Sequence, residues 1–191
     1  FICYSDGIAT VRGLEVEWRF NPTPELVIDG NFNLLDARVD NFSIVDPVER
    51  RFDENNVLNP LFAFPQDLSG NRLPKAPKFN LNIGVQYDLR SGDLGLPDWG
   101  TFTGRIQYNY RSRTFYRVFN SAEYSQARYT KVDVRLSWRS NDDRWSIETF
   151  VNNVTDIDVI NSLFLLPPND GSVLAQYQGP RTAGVRIGFR Y

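Results

Sequence analysis

Residues 78–88, which read KFNLNIGVQYD, alternate apolar and polar side chains without a break. Successive side chains of an extended chain point to opposite faces, so a period of two collects the apolar groups on one face. In a helix, at about 100° per residue, the same groups would be scattered around the axis. The segment therefore predicts a β-strand whose apolar face carries Phe79, Leu81, Ile83, Val85 and Tyr87.

Six further segments repeat this alternation, with Phe150 as an exception inside one of them. Together with residues 78–88 they predict an all-β fold. Most approach the nine to eleven residues, roughly, that a tilted transmembrane strand needs, whereas a globular strand averages about five or six. The six segments are Gly13–Phe20, Leu26–Leu34, Phe102–Arg111, Lys131–Trp138, Trp145–Asn152 and Ala183–Tyr191.

The connections between these strands alternate between short and long. Long loops without structure of their own are uncommon in compact soluble domains. Short turns at one end and longer loops at the other are typical of outer-membrane β-barrels. The short connections are 21–25, 90–100 and 140–144, and the longer ones are 39–76, 117–126 and 154–179.

Aromatic residues gather at strand ends on the side of the short turns. Rings with a polar edge favour the membrane–water interface, where barrels carry aromatic girdles. Core aromatics of an ordinary sheet are the alternative, but the number on one side favours a girdle. These residues are Trp18, Phe20, Tyr87, Trp99, Trp138, Trp145, Phe189 and Tyr191.

The composition excludes several kinds of site. The chain has no His and a single Cys, Cys3, so a His-dependent catalytic unit, a Cys/His zinc site and an internal disulfide cannot form within it. The stretch Asp53–Asn56 lacks the spacing of a calcium loop and is interpreted as a solvated loop. We therefore predict no catalytic residue, no metal site, no cofactor and no enzyme.

Charge and hydropathy limit the kinds of partner that the chain can have. There are 21 basic and 23 acidic residues, net −2, without the basic patch that nucleic-acid binding requires. No apolar run is long enough for a transmembrane helix. The mean hydropathy of −0.39 is compatible with a barrel whose strands alternate. The chain also opens on Phe1 rather than Met, which predicts a piece of a longer protein.

Motifs along nearly the whole chain resemble, in the same order, those of the late barrel strands of TonB-dependent outer-membrane receptors. Residues 5–17 resemble the stretch N-x-G-x-A-x-x-x-G-x-E, and residues 150–156, FVNNVTD, resemble V-x-N-L-T-D. Residues 179–191 resemble the closing P-R-T-x-x-G-V pattern, with Tyr191 where the family usually has Phe. Further similar positions are Asn31, Leu34, Asp36, Ala37, Leu73–Phe79 and Tyr108–Ser112.

The resemblance implies an antiparallel transmembrane β-barrel of about 22 strands with a plugged lumen. Residues 1–191 would supply about seven C-terminal strands, and the plug domain and early strands would lie elsewhere in the same receptor. An odd strand number also predicts a part of a larger barrel, since bacterial single-chain barrels have even numbers. Phe189 and Tyr191 resemble the signal that the barrel-assembly machinery reads.

By the same resemblance, the receptor would import a scarce nutrient, such as an iron–siderophore complex, across the outer membrane of a Gram-negative bacterium. Its partners would be outer-membrane lipid, the plug domain and the rest of the receptor, the TonB system through the missing N-terminal region, the barrel-assembly machinery and a small-molecule ligand. A passive porin or adhesin-type barrel, a barrel enzyme built on carboxylates and a soluble β-sandwich are the alternatives.

Two sets of candidate residues follow. The long loops are expected to contact the ligand through aromatic side chains, and the polar faces of the strands are expected to line the lumen. The loop candidates are Phe52, Phe62, Phe64, Phe164 and Tyr177. The lumen candidates are Glu15, Glu17, Arg105, Arg111, Lys131, Asp133, Arg135, Glu148 and Arg186.

Overall fold

The computed structural model describes residues 7–46, 64–165 and 173–191. Within them the predicted all-β fold is confirmed, because every one of the seven predicted segments is a strand. The long strands are β1 (Ile8–Phe20), β2 (Leu26–Asn41), β5 (Phe79–Arg90), β6 (Gly100–Arg111), β9 (Tyr129–Ser140), β10 (Trp145–Asn152) and β13 (Thr182–Phe189).

These strands form one antiparallel sheet in the order β1-β2-β5-β6-β9-β10-β13. Neighbours in the sheet are therefore also successive long strands of the chain. This arrangement places the connections on alternate edges, as the sequence predicted. Of the described residues, 21–25, 91–99 and 141–144 lie at the short-connection edge, and 42–46, 64–78, 112–128, 153–165 and 173–181 lie at the long-connection edge.

The connections contain short elements that alternation did not predict. A 3-10 helix, Ser91–Leu94, ends at Gly95, which has a φ of 73°. No helix within the described ranges has both the length and the apolar character needed to cross a membrane. Three short ribbons pair β3 (Ser43–Ile44) with β4 (Gln66–Asp67), β7 (Thr114–Phe115) with β8 (Ser125–Gln126), and β11 (Ile160–Leu165) with β12 (Val173–Tyr177).

The register gives the sheet an apolar face and a polar face. Directly opposed residues of neighbouring strands lie on the same side of a sheet. Ile28 opposes Val85, which opposes Ile106, which opposes Val134, and the apolar side chains stay in step. Much of this face is exposed, with Ile106 at 53%. An exposed apolar surface of this extent marks a face that contacts lipid or another part of a protein.

Aromatic residues border the apolar face where it reaches the short-connection edge, which is where the girdle was predicted. Trp138 opposes Phe102 of β6, and Trp145 opposes Phe189 with ring centroids 4.6 Å apart. Trp99 lies in the connection that leads into β6 and is 53% exposed. The register places these rings at the end of the apolar face beside the short connections, as a girdle would require.

Strand β2 is longer than the sequence predicted. The alternation in the sequence predicts an end at Leu34 and a loop from Val39, but the strand continues to Asn41. The adjacent Leu34 and Leu35 reverse the pattern, so Ala37 and Val39 lie on the side of the polar face and are only 5% exposed. The sheet thus passes from one environment into another near Leu34.

Beyond that point the long connections build a small core of their own. Val39 packs with Leu68 and Val118, which are 2% and 7% exposed, and Phe42 and Phe119 cover them. Among the described residues, most buried apolar side chains lie at this long-connection edge and not between two layers; Val27, near the opposite edge, is the exception.

Candidate functional site

All nine predicted lumen residues lie on the polar face. The register opposes Glu17 to Asn31 and Glu15 to Asn33, and it opposes Arg105 to Arg135 and Glu148 to Arg186. Their assignment to a lumen stays a prediction. The remaining members of the set, also on this face, are Arg111, Lys131 and Asp133.

An ion pair that spans three strands is the most ordered feature of the polar face. Arg105 of β6 donates two hydrogen bonds, each 2.8 Å, to the two carboxylate oxygens of Asp29 on β2. It also donates to the side-chain oxygen of Gln107 at 2.9 Å. The pair crosses over β5 at Gly84, where a Cβ atom would lie 2.8 Å from Arg105 Cζ and 2.9 Å from Asp29 Oδ2. Glycine leaves the space that the two side chains occupy, and a Cβ there would displace them.

Gly84→Ala is expected to lower the free energy of unfolding by about 1 kcal/mol, because the methyl group displaces Arg105 from Asp29. Without that clash, alanine in a strand would stabilise the protein by roughly 0.5–1 kcal/mol. Gly104→Ala is the matched control, since a Cβ there meets nothing within 4 Å. Urea unfolding of the full-length receptor in detergent measures both. Equal, stabilising effects of the two variants would show that Gly84 is not needed.

Other polar-face residues pair across neighbouring strands. Asn82 donates to Asn31 at 2.6 Å, and Thr103 donates to Asp88 at 2.6 Å. Glu148 accepts from Arg186 at 3.1 Å and lies 3.7 Å from Arg135. The cross-strand ion pairs expected from the sequence are thus present at this carboxylate.

The exceptional Phe150 also lies on the polar face. It opposes Gly184 of β13, and a Cβ at Gly184 would lie 2.6 Å from the Phe150 ring. The aromatic ring occupies the space that the glycine leaves, which accounts for the break in the alternation of β10.

The loop aromatics predicted to contact the ligand are only partly described. Phe52 and Phe62 lie outside the described residues. Phe64 is 67% exposed on the long-connection edge. Phe164 and Tyr177 stand on the ribbon of β11 and β12, 55% and 56% exposed. All three are open to solvent, and their role in binding stays a prediction.

A buried ion pair joins the first two long connections, and the sequence did not reveal it. Arg117 donates to Asp46, with side chains 8% and 3% exposed. The guanidinium lies 4.9 Å from the ring centroid of Phe119 and 4.8 Å from that of Tyr124, so both rings contribute cation–π attraction. The two partners are 71 positions apart, and neither stands in a motif.

Asn120 fixes the same two connections through the backbone. Its side chain accepts from the Arg72 N–H at 2.7 Å and donates to the Arg72 carbonyl at 2.9 Å. Asn71 in turn donates to the Val118 carbonyl at 3.1 Å. The third long connection joins them through Gln126, which accepts from the Ile160 N–H at 2.8 Å. The three connections are thus one hydrogen-bonded unit.

Two of the sequence motifs meet at the start of the third long connection. Asn153 of FVNNVTD is 2% exposed, has a φ of 54° and donates its backbone N–H to Asp133 at 2.7 Å. Its side chain bridges both backbone groups of Ile157. Asp156 forms an ion pair with Arg181 of the closing motif. These contacts fix the turn that follows β10.

Local environments shift the pKa of several groups outside the seven long strands. Burial raises the pKa of Tyr116, whose hydroxyl donates to the Ile160 carbonyl. Hydrogen bonds from the Ser69 hydroxyl and N–H lower the pKa of Asp67. The Ser140 hydroxyl and the Arg144 N–H lower the pKa of Asp142 in the turn before β10. All three shifts accompany structural hydrogen bonds.

Within the described ranges, no three Asp, Glu, Cys or His side chains lie together as a metal site would require. A polar cleft of about 280 Å³ opens instead at the long-connection end of the polar face. Asn80, Asn109, Arg111 and Lys131 line it. Charged and amide groups converge in this cleft beside a long connection, and we name it the mouth cleft.

Comparisons with known proteins place the chain among receptors. A family model described as TonB dependent receptor-like, β-barrel, matches residues 2–154. The ferric yersiniabactin uptake receptor FyuA of Yersinia pestis superposes with a TM-score of 0.70 at 20% identity over 96% of this chain. The siderophore receptor PiuA and the ferric preacinetobactin receptor BauA, both of Acinetobacter baumannii, superpose with TM-scores of 0.68 and 0.66 at 18% identity over 97% of this chain.

These superpositions cover 24%, 22% and 23% of the three receptors. The chain therefore spans about a quarter of the length of each. Likeness at this level of identity establishes the shared strand architecture.

Proposed function

The chain belongs to the TonB-dependent receptor β-barrel family, and we propose from this that it forms part of the membrane wall of an outer-membrane receptor for a scarce nutrient, such as an iron–siderophore complex. The match of the family model over residues 2–154 carries the proposal. The receptor would lie in the outer membrane of a Gram-negative bacterium, which is where the family works.

The two faces of the sheet support this placement. The apolar face would meet lipid, and the girdle near Trp145 would lie at one interface. The polar face would line a lumen closed by the plug domain and the other strands of the same receptor. The short-connection edge would face the periplasm, where the TonB system acts on the receptor, and the long-connection edge would face outward.

The described long connections suit the capture of a solute from outside. Phe164 and Tyr177 are exposed on a ribbon, and the backbone beneath them is held by Asn153 and Gln126. Exposed rings on a fixed base bind with a small loss of conformational entropy. We infer that this ribbon contacts the ligand.

Uptake in cells tests the proposal. Iron-starved Gram-negative cells without siderophore receptors of their own would carry the full-length gene and receive radioactive ferric complexes of catecholate, hydroxamate and phenolate siderophores. We expect accumulation of at least one complex in cells with a working TonB system and none in cells without it. Equal accumulation in both would indicate a passive barrel, and none in either would contradict an iron–siderophore substrate.

A further inference from the structure

The mouth cleft carries more positive than negative charge, since Arg111 and Lys131 line it together with one acid, Asp133. The Lys131 ammonium has neither an ion-pair nor a hydrogen-bond partner among the described residues. Arg111 donates one hydrogen bond, from Nε to the side-chain oxygen of Asn80 at 3.1 Å. Its two terminal nitrogens have no partner among the described residues. Asp133, the acid that lines the cleft, already accepts the Asn153 N–H at 2.7 Å.

The register explains how the two cations come together. Asn109 of β6 opposes Lys131 of β9, and Arg111 lies two residues further along β6 on the same face. Asn80 of β5 opposes Arg111 and holds its guanidinium from the other side. Three strands thus fix two cations and two amides at the end of the polar face.

The third long connection completes the cleft. Gln178 lines it, and the Gln178 backbone N–H donates to the Val159 carbonyl at 2.8 Å. The cleft therefore lies between the strand ends and a long connection, and a solute arriving at that edge meets it before the rest of the polar face.

We propose that the mouth cleft is an oxyanion subsite, in which Arg111 and Lys131 bind a carboxylate group of the incoming solute. Charge-assisted hydrogen bonds to a carboxylate are the strongest that these side chains make. The neighbouring amides of Asn80, Asn109 and Gln178 can bind neutral oxygens of the same molecule. The inference rests on the proposed function and gives it a substrate class: small molecules that bear carboxylates.

Calorimetry on the full-length receptor in detergent tests this inference with two metal-free probes. Citrate carries carboxylates, and sorbitol is an uncharged polyol of the same carbon number. We expect citrate to bind and sorbitol not to bind. Lys131→Gln and Arg111→Gln are each expected to weaken citrate binding about 10-fold, since each removes one charge-assisted contact. Citrate affinity is also expected to fall as salt rises, less steeply in the variants.

Two further variants separate charge from structure. Lys131→Arg keeps the charge and is expected to retain affinity within about threefold. Arg139→Gln removes a cation from the same face at the opposite, short-connection end and is expected to have no effect.

Citrate binding that is absent, or unchanged by both Lys131→Gln and Arg111→Gln, would overturn the inference. The cations would then serve another partner, such as a carboxylate elsewhere in the receptor. The uptake experiment is independent of this result. TonB-dependent iron uptake together with charge-independent citrate binding would refute the subsite and leave the proposed function standing.

Discussion

Asp46→Asn is expected to weaken the joint between the first two long connections by about 3 kcal/mol, because it leaves the Arg117 guanidinium buried without a counter-charge. Arg117 is 8% exposed, and its described partners are Asp46 and the rings of Phe119 and Tyr124. Ring contacts offset only part of the cost of burying a cation. The asparagine keeps the size of the side chain, so the change is one of charge.

Hydrogen exchange of the full-length receptor measures this effect locally. The backbone N–H of Lys75 donates to the Phe115 carbonyl at 2.7 Å, and that of Tyr116 donates to the Tyr124 carbonyl at 2.9 Å. A loss of about 3 kcal/mol speeds exchange of such amides on the order of a hundredfold. Amides in the middle of β5 should exchange as before.

A double variant distinguishes charge from packing. Asp46→Asn combined with Arg117→Met removes the buried charge and keeps a flexible apolar side chain between the two rings. Because replacing both partners of a buried pair is often neutral, we expect the double variant to recover at least half of the loss. Exchange that is unchanged in the single variant would show that the pair does not hold the connections together.

Asn153→Ala is expected to destabilise the start of the third long connection by about 2–4 kcal/mol. The alanine must adopt a φ near 54°, which costs about 1–2 kcal/mol for a residue that lacks the local side-chain hydrogen bonds of asparagine. It also leaves the Ile157 N–H and carbonyl without the bonds that Asn153 provides, at 3.2 and 3.1 Å.

Asn152→Ala is the matched control, since Asn152 stands next to it in the same motif and its side chain donates one long bond, 3.3 Å, to Thr182. We expect an effect below about 1 kcal/mol there. Asn153→Gly separates the two causes, because glycine accepts a positive φ and lacks the side-chain bonds. Exchange of residues 153–160 in the full-length receptor reports all three variants, and equal rates in Asn152→Ala and Asn153→Ala would contradict the assigned role.

The strands could be predicted from the sequence wherever one side of the sheet has apolar surroundings and the other side has polar surroundings. Residues 78–88 face apolar and polar surroundings along their whole length, and β5 forms there within two residues of the predicted bounds. β2 was predicted too short because the apolar side changes at Leu34 and Leu35, where the strand leaves the apolar band and enters the loop core. A period of two cannot predict such a change of environment.

The site was predictable in part for the same reason. Strand parity alone places Lys131 and Arg111 on the polar face, but their convergence depends on the register between β6 and β9. The pair of Arg105 and Asp29 depends on a glycine in the strand between them. Arg117 and Asp46 meet through connections that carry no periodic signal, so composition and pattern could not bring them together.

The proposed function places the apolar face of this sheet against lipid and the polar face along a water-filled lumen. Spin labels on single cysteines along β5, in the full-length receptor in native outer membrane with Cys3→Ser, test this placement directly. Labels replacing Leu81, Ile83 and Val85 should collide mainly with oxygen, and labels replacing Asn80, Asn82 and Gln86 mainly with a water-soluble nickel complex. Collision rates that do not alternate, or that alternate in the opposite sense, would contradict this placement.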